Sequence, residues 1–248
     1  MARKVALVTG GAKGLGAAIV RELAANNFDV VINYLTSEKE AEFLGSELTF
    51  KYGVNVLLYK CDVSNEEEVD AMVSFIESKL GGVDVLINNA AIDLSNMWHE
   101  KKIEDFRKTL DVNVIGAYNV ARKVYKHMLD NKWGRIINIS STNGINTYYP
   151  MCLEYDASKA ALISLTHNLS VEFAPYVTVN AIAPGFIGTE SELKGYDEEF
   201  LKSEQEKILV GRYGKPEEVA KLVAFLVSDD ASYINNSVIR IDGGQYGA

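Results

Sequence analysis

The chain predicts a single doubly wound α/β domain: a seven-stranded parallel sheet with helices on both faces. Three observations predict it. Short runs rich in valine and isoleucine alternate with longer stretches of helical periodicity along the 248 residues. Most of these runs are apolar at nearly every position, as strands buried on both faces should be. The first run also passes directly into a glycine-rich turn that opens a helix, the arrangement of a nucleotide-binding crossover.

The strands are expected at Val5–Val8, Val30–Ile32, Val54–Tyr59, Val83–Ile87, Arg135–Ile139, Val177–Ile182 and Val238–Ile241. Helical stretches fall between them, because neighbouring parallel strands are joined by right-handed crossovers. Ser37 with Glu40, and Ser64 with Glu67, have the spacing of capping boxes at two helix starts. Pro216, followed by Glu217 and Glu218, suits the first turn of a late helix. No linker, low-complexity tract or repeat interrupts the pattern, so residues 1–248 read as one domain. The least regular stretch, about 187–211, is polar and glutamate-rich and follows Pro184 and Gly185. Ligands bind at the C-terminal ends of such strands, so a lid of short helices is expected there. The plainer alternative is a surface insertion.

Composition excludes several function classes. A hydrophobic content of 48% and a charged content of 24% are those of an ordinary globular protein with a sizeable core. No apolar run reaches membrane-spanning length, and Val5–Val8 is too short for a signal-peptide core. Cys61 and Cys152 sit in unrelated contexts, which suits a reducing, cytoplasmic location and no disulfide. No His/Cys cluster has metal-ligand spacing. A net charge of −9 argues against a nucleic-acid partner and mildly against an acidic protein partner.

Tyr155 and Lys159 stand four apart in a stretch that reads as helix, so they share a face. A free tyrosine, with a pKa of about 10, is a poor base at neutral pH. A nearby cation favours the phenolate, and such a tyrosine can exchange a proton with an alcohol or carbonyl. On spacing alone, a surface i,i+4 pair is the better reading, since chance supplies about one such Tyr/Lys match in a chain of this composition. Gly10, Gly14 and Gly16 supply the missing context: a G-x-x-x-G-x-G turn between the first strand and its helix. It offers a tight turn, close backbone approach and a helix N-terminus for a pyrophosphate. No G-K-[ST] ending follows, so nucleotide hydrolysis is not indicated. An acid that binds the ribose of NAD is expected about 20 residues on, at the end of the second strand. That strand ends Ile32-Asn33-Tyr34 without one, and Lys13 adds a cation in the loop. Both features favour NADP, although Asn33 can hydrogen-bond a ribose in either cofactor and NAD stays open.

Taken in order, these residues resemble the short-chain dehydrogenase/reductase family, a Rossmann fold, over essentially the whole chain. Thr9 to Gly16, with Leu15, is similar to the family's cofactor loop; Asp62-Val63 to its adenine-contacting pair; Asn88-Asn89-Ala90-Ala91 to its Asn-Asn-Ala-Gly motif. Asn113 matches its catalytic asparagine, Gly134 to Ser141 the fifth strand and catalytic serine, and Tyr155 with Lys159 its active-site pair. Val179 to Thr189, including Pro184, Gly185 and Ile187, is similar to the stretch that flanks the nicotinamide. Two departures stand out. Ala91 replaces the usual glycine, and the Ser-to-Tyr segment is one residue longer than usual. Counting from Gly134 selects Ser141, with Ser140 the alternative.

The resemblance implies an NAD(P)-dependent oxidoreductase. Tyr155 would be the acid in reduction and the base in oxidation. Ser141 would hold the substrate oxygen. Lys159 would lower the tyrosine pKa and bind the nicotinamide ribose, and Asn113 would hold a water on a proton route. His127 and His167 read as structural, and His99 as a candidate pocket residue. The chain is most similar to 3-oxoacyl-(acyl-carrier-protein) reductases, which implies NADPH-dependent reduction of a 3-oxoacyl thioester. Acyl carrier protein is then a candidate partner. Lys132 keeps one expected basic position, but the other reads Ala174-Pro175-Tyr176, removing part of the clamp for acid or phosphate. The bulky segment 147–154 suits a free ketone, sugar or steroid-like alcohol instead. A dehydrogenase of such an alcohol is the second reading, and a non-enzymatic dinucleotide sensor the third. Family members are dimers or tetramers, and helices near 103–130 and 155–173 are the candidate contact surfaces.

Overall fold

The computed structural model describes residues 3–146 and 148–246, apart from the side chains of Ser191 and Glu192. Seven strands form one parallel sheet in the order β3-β2-β1-β4-β5-β6-β7. They are β1 (Val5–Val8), β2 (Asp29–Tyr34), β3 (Val56–Lys60), β4 (Val85–Asn88), β5 (Gly134–Ile139), β6 (Val177–Pro184) and β7 (Val238–Ile241). The helices are α1 (Gly14–Ala25), α2 (Glu38–Tyr52), α3 (Glu66–Leu80), α4 (Ile103–Leu110), α5 (Ala117–Asp130), α6 (Leu153–Glu172), α7 (Glu190–Gly195), α8 (Glu198–Glu206) and α9 (Pro216–Val227).

Strand alternation divides the core in two. In β1, Ala6 and Val8 face a cluster with α1, α2 and α9, while Val5 and Leu7 face one with α3, α5 and α6. β1, β2, β4, β5 and β6 are buried throughout, which explains their unbroken apolar sequences. β3 and β7 pair on one side only and are half-buried. Strand order reverses between β1 and β4, and the crevice above that reversal is where ligands bind in such sheets. Among the described residues, no helix is long and apolar enough to cross a membrane.

Each expected strand forms, with ends moved by at most two residues. The caps differ more. Asn65, not Ser64, caps α3: its Oδ1 accepts from the Glu67 and Glu68 amides at 3.0 and 3.2 Å. The Ser64 hydroxyl donates to Asp62 Oδ1 instead, at 2.6 Å. Ser37 does begin α2 but makes no side-chain cap, and Glu40 pairs with Lys13 at 2.8 Å. Pro216 occupies the first turn of α9 as expected. Cys61 and Cys152 are both free thiols.

Candidate active site

A cleft of about 720 Å³ opens at the C-terminal ends of β1, β4, β5 and β6. On one side it is lined by Leu15 and Asn89, at its base by Ser140, Ser141, Tyr155 and Lys159, and beyond them by Pro184, Gly185, Ile187 and Thr189. Four widely separated parts of the chain therefore meet here because their strands end together.

The glycine loop owes its shape to close packing. Gly10 and Gly14 have φ of +61° and +51°, values that favour glycine. A β-carbon at Gly16 would stand 2.3 Å from the Gly10 carbonyl oxygen and 2.7 Å from Asn89 Nδ2. Asn89 fixes the loop from β4, donating to the Thr9 and Gly10 carbonyls at 2.9 and 3.1 Å. The Asn89 and Ala90 amides both donate to Thr9 Oγ1 at 3.0 Å. α1 begins at Gly14 without a side-chain cap, so its first N–H groups are presented to an anion. Thr189 closes over this point, its Cγ2 lying 3.8 Å from where a Gly14 β-carbon would be. A glycine cradle, an uncapped helix start and a cleft beyond it fit a dinucleotide.

Asn33 departs from expectation. It is 2% exposed and held inside the protein, its Oδ1 accepting from the Gly10 amide at 3.2 Å and its Nδ2 donating to the Cys61 carbonyl at 3.0 Å. It braces the glycine loop rather than facing a ribose. Tyr34 is likewise buried, and its hydroxyl donates to Glu38 at 3.4 Å. Asp62 Oδ1 accepts from the Ser64 amide at 2.9 Å, and Val63 packs on Gly116. None of these four side chains lines the cleft.

At the base, Lys159 is 2% exposed and its Nζ donates to the Ile139 carbonyl at 2.8 Å. The ammonium lies 5.3 Å from the centre of the Tyr155 ring. Burial pulls the lysine pKa down from 10.5 to about 8, so it remains cationic at neutral pH. Ser140 and Ser141 both line the cleft, but the Ser140 hydroxyl donates to the Lys159 carbonyl at 2.9 Å and so ties α6 to β5. Ser141 Oγ accepts from the Asn143 amide within its own turn at 3.2 Å.

Asn113 lies on a widened helical turn, Asp111–Gly116, between α4 and α5. Its side chain is 1% exposed and fully used: Oδ1 accepts from Ile92 N at 2.8 Å, and Nδ2 donates to Ile92 O and Ser158 Oγ, each at 3.0 Å. It links the β4 loop to α6 and does not itself line the cleft. His99 is exposed on a short 3₁₀ turn and is not among the residues lining the cleft. His127 pairs with Asp84 at 3.2 Å, and His167 bonds Asn236 at 2.5 Å.

The sequence did not single out Asp93, Asn143, Asp156 or Glu204. Asp156 accepts from Asn143 Nδ2 at 2.7 Å and from the Tyr149 amide at 3.3 Å, and burial raises its pKa. Of the segment 147–154, Tyr149, Pro150, Met151 and Cys152 do line the cleft; Thr147 lies outside the described residues. Burial pushes the Cys152 thiol up to about 11, so no thiolate is available there at neutral pH.

Comparison with known proteins agrees with this geometry. A family model described as enoyl-(acyl carrier protein) reductase matches residues 10–245. An acetoacetyl-CoA reductase from Rhizobium meliloti (strain 1021) is 40% identical, covering 98% of each chain. The 3-oxoacyl-[acyl-carrier-protein] reductase FabG of Aquifex aeolicus is 38% identical over 98% of this chain and 97% of its own. Among solved structures, a Serratia marcescens short-chain dehydrogenase/reductase mutant superposes with a TM-score of 0.92 at 34% identity, covering 98% of each chain. Acetoin dehydrogenase YohF of Salmonella typhimurium gives 0.87 at 33% identity, covering 98% of this chain and 96% of its own. A matching family model over nearly the whole chain, together with these relatives, shows that the chain belongs to the short-chain dehydrogenase/reductase family of nicotinamide-dinucleotide oxidoreductases.

Proposed function

We propose that the protein is an NADPH-dependent carbonyl reductase that converts a 3-oxoacyl thioester to its 3-hydroxyacyl form. The observation that carries the proposal is the meeting of Ser141, Tyr155 and a buried, cationic Lys159 in one cleft beside the glycine cradle. Similarity to an acetoacetyl-CoA reductase and to FabG supports the thioester. When bound, the dinucleotide supplies the hydride. Ser141 hydrogen-bonds the substrate carbonyl oxygen and holds it against Tyr155. Tyr155 donates its phenolic proton to that oxygen, so the carbonyl leaves as an alcohol and the tyrosine as a phenolate. The Lys159 cation stabilises the phenolate before its proton is restored. Because the Asn113 side chain is spent on Ile92 and Ser158, main-chain groups of its widened turn are left to hold a relay water. Residues 187–211 act as the lid.

The second reading, a dehydrogenase of a small alcohol, is favoured by one feature. The cleft is lined by Tyr149 to Cys152 together with Tyr196 and Phe200, and the charged residues among its described lining are Asp93, Asp197 and Lys159; Lys101, which donates to the Met151 carbonyl at 2.7 Å, does not line it. Phosphates of a carrier group would therefore lie outside the cleft. Ile103, Ile115, Tyr118 and Val171 are exposed apolar residues on the stretch from α4 to α5 and on α6, which suits a dimer or tetramer. The substrate is tested by offering acetoacetyl-CoA beside simple ketones and sugars. Turnover of a ketone without turnover of the thioester selects the second reading.

For the cofactor, Lys13 is the residue proposed to meet the 2′-phosphate of NADPH, exchanging its present partner Glu40 for it. Lys13→Ala should weaken NADPH binding roughly tenfold more than NADH binding, the worth of one charge-assisted hydrogen bond. Fluorescence titration of both cofactors measures this, and equal losses reject the assignment.

A further inference from the structure

The helix α8 turns one face inward. Phe200, Leu201 and Glu204 are its less exposed positions, and Lys207 and Ile208 continue the spacing just past its end. An apolar side chain is expected at the centre of such a face. Glu204 stands there instead, 2% exposed and the one fully buried residue of the helix. A buried carboxylate is costly unless paired, and an apolar replacement is often as stable or more so. Glu204 therefore contributes a specific bond rather than good packing.

That bond joins α8 to the segment around Tyr149, and both contribute residues to the cleft lining. Tyr149 donates its hydroxyl to Glu204 Oε2 at 2.5 Å, and Lys207 donates to Oε1 at 2.8 Å. Burial and the Glu204 carboxylate push the Tyr149 phenol pKa up, which keeps it a donor. Tyr149 is anchored in turn. Its amide donates to Asp156 Oδ2 at 3.3 Å, Asp156 Oδ1 accepts from Asn143 at 2.7 Å, and the Asn143 amide donates to Ser141 at 3.2 Å. A continuous chain of bonds thus runs from Ser141 to α8. Tyr149 and Met151 line the cleft, and so do Phe200 on α8 and Tyr196 just before it.

We propose that the Tyr149–Glu204 hydrogen bond is a latch that closes α8 on the 149–152 wall and restricts the site to substrates with short acyl chains. This rests on the carbonyl-reductase reading above. A longer chain must part the walls and break a hydrogen bond to a charged group, a loss of roughly 10- to 100-fold in affinity. Burying one methylene recovers about fourfold. A chain must therefore bury roughly two to four more methylenes only to break even.

The test is kcat/KM for 3-oxoacyl-CoA substrates of four to ten carbons, in the unaltered protein, Tyr149→Phe and Glu204→Gln. Tyr149→Phe keeps the ring and removes the donor. It should raise the ten-carbon to four-carbon ratio roughly tenfold, with dinucleotide affinity unchanged. Glu204→Gln should move the ratio in the same direction by less. An unchanged ratio, an equal fall at every length, or a parallel loss of dinucleotide affinity overturns the latch. If no thioester is turned over, the proposed function fails, and the same ratios are read on 2-alkanones of matching length. Limited proteolysis of the cofactor-free protein needs no turnover at all: cleavage within α8 should quicken several-fold in Tyr149→Phe, and unchanged cleavage contradicts the latch.

Discussion

Tyr155→Phe should bind the dinucleotide as tightly as the unaltered protein and lose catalysis by roughly 10²- to 10⁴-fold, the range attributed to a positioned proton donor. The ring stays, so its packing over Lys159, 5.3 Å from the ammonium, stays with it. The hydroxyl goes, and the transferable proton with it. The loss should fall on kcat, with little change in substrate KM, because the phenol acts on charge that develops in the transition state. Stopped-flow measurement of a single turnover separates this from slow product release. Substantial remaining turnover would remove Tyr155 from the acid/base role.

Lys159→Met should show opposite effects on stability and activity. Taking the lysine pKa from 10.5 to about 8 means that the folded state holds the cation unfavourably, by about 3 kcal/mol. Below pH 8 both folded and unfolded chains carry the proton, and the full penalty applies. Between about 8 and 10.5 the folded state has released the proton while the unfolded state keeps it, so stability rises with pH. Above 10.5 the penalty is gone. Methionine removes the penalty at every pH, at the expense of about 1 kcal/mol for the Ile139 carbonyl left without its donor. The cofactor-free Lys159→Met protein should therefore resist urea better at pH 7, and its advantage should shrink as pH rises above 8. Its turnover should fall at least roughly 100-fold, since the phenolate loses its counter-charge. An advantage that does not depend on pH would mean that the lysine is not held as a buried cation.

The sheet was legible because β1, β2, β4, β5 and β6 are buried on both faces, and continuous Val/Ile runs report that directly. Helix starts were less so. Ser64 and Asn65 are both good caps, and only the backbone geometry decides that Asn65 accepts from Glu67 and Glu68. The glycine loop and the Tyr155–Lys159 pair are local in sequence, and the cleft brings them together. Asn33 shows the limit of position alone. It stands where a ribose ligand is expected, yet the tight loop consumes its amide through Gly10 and Cys61. Lys13 likewise finds Glu40, a partner one helix away. Tyr149 and Glu204 are 55 residues apart and carry no motif, so their contact exists only once α8 has docked.

The most direct measurement is the stoichiometry of one reaction: NADPH consumed against 3-hydroxybutyryl-CoA formed from acetoacetyl-CoA. The arrangement of Ser141, Tyr155 and Lys159 beside the glycine cradle predicts one product for each NADPH oxidised, and none with Tyr155→Phe on the same timescale. NADPH left unconsumed in the presence of the thioester, or consumed without that product, would contradict the account.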